Sequence, residues 1–464
     1  MDKDQIRSLA LKAREAQRTM LGFSSRKKRD ILTAIADELE RAREAILAAN
    51  AEDLADSVAR GRPAGFIDLL TLTESRLVDV VRAFRVIADS KDPIGEQISR
   101  WIRPNGLEIV RKRVPVGLVG IALESRPHVV PLACAVCFKV NNAVMVIGDE
   151  ETRRTNEILV ETIRTGGASA GLPLDALQLL CTEDNLLASR YMATLDGIVD
   201  VAIPRGGHSF VSDIMEHARI PVLRHRGGLC HVYVDCNRRR PEAPAVARKD
   251  DEAAGSLEIP KVVATVPSLP LDPSAPPDAV GSRIDLAAAV AIVVNSRCHE
   301  PFACNSASVV LVHRHIAPSF LPELEKAAAE NGMTLYGDEG ARSVLPGILP
   351  AEADMWRTPR RDLTLTIGIV DSIDEAVSRI NDCGSHLSDS IVSEDEGAQN
   401  YFVREVDSAV VFTNASTCFA DGGEFGMGAE IGLSTDKLNA RGPIGLEDLT
   451  SMKYLVRGGG QTRG

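Results

Sequence analysis

No run of about 18 apolar residues occurs anywhere in the chain, so nothing in it reads as a membrane-spanning helix. The opening stretch, MDKDQIRSLALKAREAQR, is a charged amphipathic pattern and not a signal sequence. A surplus of positive charge is also missing: 53 Lys and Arg stand against 65 Asp and Glu, a formal charge of −12. Phosphate backbones are bound by basic surfaces that release counterions, so this balance argues against nucleic acid as the main partner. An anionic small molecule would need locally assembled positive charge. The nine cysteines lack the regular spacing of a disulfide framework and read as reduced thiols, most of them buried as small hydrophobes. There is no internal repeat. Together these absences point to a cytoplasmic globular protein without a membrane partner.

What is present is ordinary in bulk and informative in pattern. At 464 residues the chain exceeds what one core supports, which implies two or three domains. Apolar positions such as Ile31, Ile35, Leu39, Ile46 and Leu47 recur at helical spacing, so the N-terminal region is expected to be helical. From residue 108 the texture changes: LEIVRKRVPVGLVGIALES becomes a short apolar run, helix-like VPLACAVCFKV follows, then strand-like AVMVIG. Strand, glycine turn, helix and strand succeed each other again in DGIVDVAIPRGGHSFVSDIMEHARIPVLRH, and similar units follow residue 285. That rhythm predicts an α/β fold with parallel sheets. Residues 237–283 break it with proline, alanine and charge, and are expected to form an exposed insertion, either a partner-binding loop or a tolerated one.

The candidates for chemistry centre on NSRCHEPFACNSA, residues 295–307. Cys304 precedes a run that reads as a buried strand, where a rigid scaffold can hold a nucleophile; a buried structural cysteine fits the same spacing. Cys298 and His299, if extended, point to opposite faces and cannot serve one site. Zinc lacks a fourth ligand at suitable spacing, so no metal is expected. CAVC, residues 134–137, has redox spacing inside an apolar helical run and reads as core. IPRGG, residues 203–207, ends a strand and opens a helix, so its glycines could let a dinucleotide approach the backbone. The glycine-rich stretch 414–432 is too long for a simple turn and suits a ligand or an interface.

Several segments taken in order, VPVGLVGIALESRP, IPRGGHSFVSDIMEHARIPV, CHVYVD, EPFACNSA, LVHRHIAPSFLP, DGGEFGMGAEIG and KLNARGPIGLEDLT, resemble the gamma-glutamyl phosphate reductase family of the aldehyde dehydrogenase superfamily. The resemblance implies two Rossmann-type α/β domains plus a small oligomerisation element: a cofactor domain over 1–230, a catalytic domain over 231–415, and a C-terminal segment, 416–464, returning to the first. It further implies an NADPH-dependent homo-oligomeric enzyme of proline biosynthesis, acting on a small acyl phosphate through a thioester on Cys304. Lys139, Gly148, Pro204, Arg205, Gly206 and Gly207 would hold the cofactor; Ser125, Arg126, Asn305, Asn414 and Ser416 would hold the substrate. No hydrolytic glutamate is needed, and that region here carries Arg224, His225 and Arg226, either phosphate-attracting or simply solvated.

The chain also departs from the family pattern. Ile147, Gly148 and Asp149 replace Arg-Gly-Gly, Pro359 replaces a glutamate, Cys418 replaces an arginine, His128 replaces an asparagine, and His299 and Glu300 replace Gln-Arg. Two readings follow from the sequence: a reductase with a modified cofactor grip, or a paralogue whose fold persists in a binding, regulatory or scaffolding role.

Overall fold

The computed structural model describes residues 3–224, 227–236, 285–428, 430–438 and 440–463. The insertion expected at 237–283, with His225 and Arg226, lies outside the described residues. Five helices open the chain: α1 (Lys3–Met20), α2 (Ser25–Arg41), α3 (Arg43–Ala59), α4 (Ala64–Leu70) and α5 (Glu74–Asp89). Side-chain caps set two of their starts, Ser24 accepting from Lys27 N–H and Thr73 from Arg76 N–H. The helical spacing read at Ile31, Ile35 and Leu39 is the buried face of α2.

Strands β1 (Gln97–Ile102) and β2 (Glu108–Pro115) form an antiparallel hairpin that stands apart from the flanking α/β unit. That unit runs β3 (Leu118–Leu123), α6 (Val129–Lys139), β4 (Ala143–Gly148), α7 (Arg153–Ser169), β5 (Leu177–Cys181), α8 (Asn185–Met192), β6 (Val201–Arg205) and α9 (His208–His217). Its four parallel strands lie in the order β5-β4-β3-β6. Because the chain moves outward from β3 through β4 to β5 and then returns to β3's other side, a crevice opens at the carboxyl ends of β3 and β6. Cys134 and Cys137 are buried in α6 as core.

The second unit contains β7 (Cys230–Val234), α10 (Leu286–Cys298), β8 (Ala307–His313), α11 (Ala317–Glu330), β9 (Thr334–Gly337), α12 (Glu339–Val344), β10 (Leu349–Pro350), β11 (Thr364–Val370), α13 (Ile373–Cys383), β12 (Ser388–Val392), α14 (Glu396–Glu405) and β13 (Val410–Thr413). Its seven strands, all parallel, lie in the order β10-β9-β11-β8-β7-β12-β13. The extended segment considered for Cys298 and His299 is instead helix: Asp285 caps α10, the alanine-rich run carries it through Cys298, and His299 N–H still bonds Asn295 C=O. After β13 the chain adds the short pair β14 (Leu433–Ser434) and β15 (Gly442–Pro443), and β16 (Thr450–Arg457) pairs with β2 to make a three-stranded sheet. Among the described residues no helix is long and apolar enough to cross a membrane, and no group of three or more His, Cys, Asp or Glu is placed to hold a metal.

The first unit's packing depends on the close approach of α2 and α7. A Cβ on Gly166 would lie 2.8 Å from both Ala34 O and Ile35 Cα, which are backbone atoms that cannot swing aside. Gly166→Ala is therefore expected to lower stability by about 1–3 kcal/mol, read as a reduced midpoint in urea denaturation.

Candidate active site

Cys304 sits where the amino edge of the seven-stranded sheet meets the carboxyl edge of the four-stranded one, in the turn between α10 and β8. Its main chain packs against Gly228, at the entry to β7, so closely that a Cβ there would fall 2.5 Å from Cys304 Cα. Cys230 Sγ–H donates to Cys304 C=O at 3.3 Å. From beneath, the fully buried Arg297 donates to Ser306 Oγ at 3.1 Å, Ala307 C=O at 3.2 Å and Arg360 C=O at 3.0 Å, and it also reaches Asp362 C=O. Asn305 Nδ2 donates to the carbonyls of Cys418 and Ala420, both at 3.1 Å. The turn is thus tied to β7, α10, the 360–362 loop and the C-terminal loop.

The thiol borders a cavity of about 490 Å³ lined by Arg76, Arg126, His128, Arg205, Asp421 and Glu430 among others. A larger one of about 770 Å³ shares Arg76, His128, His299, Glu300 and Glu430 with it, so the two make one cleft leading to Cys304. Arg126 enters from the loop after β3, where Ser125 and Arg126 both adopt left-handed backbone, φ 99° and 63°. Arg205 closes β6 and lies against the backbone of Gly432. Neither guanidinium makes a hydrogen bond or ion pair among the described residues.

The charges in the cleft govern one another. Burial pushes the Cys304 thiol above its ordinary range, and Arg205 and Arg126 pull it back. Desolvation, then Arg205, lowers Arg126 to about 10, still charged at neutral pH. Desolvation, then Arg126, lowers His128 to about 3, so its imidazole is neutral; its Nδ1 is buried without a partner. Burial, then Asp421, raises Glu430 to about 7, while its Oε2 accepts from Gly422 N–H at 3.0 Å.

Of the residues expected from sequence, Cys304, Arg126 and Asn305 converge here, and Arg205, expected on the cofactor, joins them. Ser125 is buried behind Arg126. The others stand apart. Asn414 accepts from Ser393 N–H and donates to Ser393 C=O, both at 2.9 Å, and so pins the loop after β12. Ser416 Oγ accepts from Ser296 Oγ–H at 3.1 Å and from Cys418 N–H at 3.2 Å. Lys139 must be corrected: α6 runs back from the carboxyl edge of β3, leaving Lys139 at the far end, buried and donating to Ala88 C=O at 2.9 Å. Gly207 is also not free, since its N–H donates to Glu124 Oε2 at 2.6 Å, and a side chain on Gly206 would strike Glu124 and Phe210. Pro204 is a buried residue of β6 opposite Ala122. Gly148 ends β4 against Asn156 and Cys181, at the carboxyl edge. Arg224 pairs with Asp436.

Arg76 on α5 and Glu430 in GMGAEIG are site residues that sequence reasoning missed. Glu430's only signal was its place in the glycine-rich stretch; Arg76 had none. Cys418 turns its Sγ toward Asn295 and Ser296 carbonyls, and Glu300 lines the cleft, so the replacements at 300 and 418 alter the rim and not the thiol's seat.

A cofactor has room on the opposite side of Gly228. There a cavity of about 460 Å³ between α9 and the second unit is lined by His208, Ser212, Arg224, Gly228, Arg357 and Pro359. The close-packed glycine that bounds it also backs Cys304, and its polar donors suit a phosphate-bearing dinucleotide.

Two units with parallel sheets and a cysteine in the cleft between them define the aldehyde dehydrogenase-like class. The fold matches the propionaldehyde dehydrogenase of a Clostridium phytofermentans microcompartment with a TM-score of 0.64 at 14% identity, covering 98% of this chain and 97% of that one. Closer likeness is specific. The chain is 38% identical over 461 residues to the gamma-glutamyl phosphate reductase of Halothermothrix orenii, covering 99% of each. It superimposes on the crystal structure of the Thermotoga maritima gamma-glutamyl phosphate reductase with a TM-score of 0.85 at 32% identity, covering 99% and 100%. No protein-family model matches. The chain belongs to the gamma-glutamyl phosphate reductase family.

Because the thiol is raised by burial and restrained by two arginines, alkylation of Cys304 by iodoacetamide should speed up as pH rises through the alkaline range. Arg126→Gln removes a cation that favours the thiolate, so its rate–pH profile should shift to higher pH. An unmoved profile would mean that Arg126 does not act on the thiol.

Proposed function

We propose that this protein reduces L-glutamyl 5-phosphate to L-glutamate 5-semialdehyde in the cytoplasm, as a step of proline biosynthesis, by way of a thioester on Cys304. The observation that carries the proposal is the Cys304 thiol at the end of a cleft whose cations Arg126 and Arg205 have no partner among the described residues. An acyl phosphate with an α-carboxylate brings several negative charges, and desolvated guanidinium groups with free forks are matched to them. Asp421 and Glu430 lie in the same cleft and offer carboxylates to an α-ammonium group.

In this scheme the Cys304 thiolate attacks the acyl carbon and the carbonyl oxygen becomes an oxyanion. The neutral imidazole of His128 offers it a ring N–H. Collapse of the tetrahedral adduct breaks the bond to the phosphoryl oxygen and expels phosphate past the arginines, leaving a Cys304 thioester. A nicotinamide dinucleotide, when bound, supplies the hydride that reduces this acyl group; the C–S bond then breaks and the aldehyde leaves. The thiolate returns to the same two arginines. The family resemblance implies the phosphorylated form, NADPH.

Self-association is the second part of the proposal. The β1-β2-β16 sheet exposes Trp101, Met452, Tyr454 and Val456 on a small appendage, with Trp101 edge-on to Tyr454, an apolar surface suited to a second copy of the chain.

Cys304→Ala should lower the phosphate-dependent oxidation of glutamate semialdehyde by about a thousandfold or more, measured as dinucleotide reduction, with the folded state intact by circular dichroism. Activity surviving in that variant would sink the thioester route. Tyr454→Asp with Val456→Asp should reduce the sedimentation coefficient to that of a smaller species; an unchanged coefficient would remove the sheet as an interface.

A further inference from the structure

At the carboxyl edge of the four-stranded sheet a separate cavity of about 460 Å³ opens beside the ends of β3, β4 and β5. Five carboxylates line it, from Glu124, Asp149, Glu150, Glu151 and Glu183, against the two guanidinium groups of Arg60 and Arg62. Of these two cations Arg62 is engaged by Glu151, whereas Arg60 has no side-chain hydrogen bond or ion pair among the described residues. Arg62 Nε donates to Glu151 Oε1 at 2.7 Å, and Arg60 is exposed at the end of α3. Glu150 is held by Arg153 Nε at 2.8 Å, and Asp149 accepts from Thr152 N–H at 3.0 Å. Glu151 differs from the other acids in being buried with one oxygen unused: its side chain is only 9% exposed and Oε1 holds Arg62, yet Oε2 has no hydrogen-bond partner among the described residues. A buried carboxylate oxygen without a donor is costly unless one is supplied. At the end of β4, Ile147 is buried and apolar and adds no cation.

Dinucleotides bind outside the carboxyl ends of such sheets, with an acidic side chain on the ribose 2′-hydroxyl of NAD, or an arginine beside the 2′-phosphate of NADP. A hydroxyl can donate to Glu151; a phosphomonoester has acceptors only and carries about −1.5 to −2 charges at neutral pH. Placed among these five carboxylates it is repelled, and the one unengaged cation, the exposed Arg60, is outnumbered by them. We infer that this chain takes NADH in preference to NADPH, with Glu151 and Glu183 at the adenosine ribose. The inference rests on the reading of the chain as a nicotinamide-dependent reductase.

The test is direct binding, free of any assay of turnover. The full-length protein is titrated with NADH and with NADPH at equal ionic strength, following nicotinamide fluorescence. NADH should bind at least about tenfold more tightly. Glu151→Gln and the exposed Glu183→Gln should each narrow that ratio by strengthening NADPH binding, with Glu183→Gln serving as the variant least able to disturb folding. Equal or tighter binding of NADPH to the unmodified protein overturns the inference and leaves the reductase reading in place, as does a ratio unchanged in both variants. Binding of neither dinucleotide at millimolar concentration overturns both.

Discussion

The contact on which the site depends is between two backbones, Gly228 and Cys304. Only a residue without a Cβ lets the entry of β7 lie against the nucleophile turn, because any side chain there would occupy the Cys304 main chain itself. That seam fixes the thiol relative to the second sheet, while Arg297, Asn305 and Cys230 hold the turn from its other sides. A nucleophile gains most from a scaffold that leaves it one position. It also leaves only a glycine, the thinnest wall a chain can build, between the Cys304 turn and the cavity beside α9.

Electrostatics in the cleft follow from this rigidity. Arg126 and Arg205 have no side-chain partner among the described residues, an arrangement that is expensive unless an anion completes it. Their charge favours the thiolate that burial opposes, adds to the desolvation that keeps His128 neutral, and coexists with Glu430, whose carboxyl group is raised to about 7 by burial and then by Asp421. The departures from the family pattern at His299, Glu300 and Cys418 fall on the rim, whereas the thiol, its backing glycine and its two arginines are in place. A degraded scaffold would have no reason to keep two unpaired guanidinium groups converging on a thiol, which is why the non-catalytic reading gains no support.

The adenosine end differs from the substrate end in sign. Around Cys304 two guanidinium groups have no partner among the described residues; beside β4 five carboxylates face Arg60 and Arg62, and Glu151 Oε2 accepts no hydrogen bond. The balance of charge thus favours an anion in the cleft at Cys304 and disfavours one in the cavity beside β4.

Local sequence was enough for the α/β rhythm, the core role of Cys134 and Cys137, the strand after Cys304 and the motif that marks this cysteine, because short-range periodicity and backbone chemistry are properties of contiguous residues. It could not decide which distant side chains meet. Arg76 comes from a helix, Arg126 and Arg205 from the edge of one sheet, and Glu430 from the C-terminal loop, so their convergence exists only after the two units pack. Lys139 was misplaced for the same reason: the return direction of α6 carries it to the opposite edge. Gly207 looked open to a phosphate, but its amide is taken by Glu124 from another strand's end. Chain pattern determines which elements form, and the family motif it carries singles out Cys304; long-range packing alone decides what charge surrounds that thiol, because electrostatic environment depends on distance in space and not along the chain.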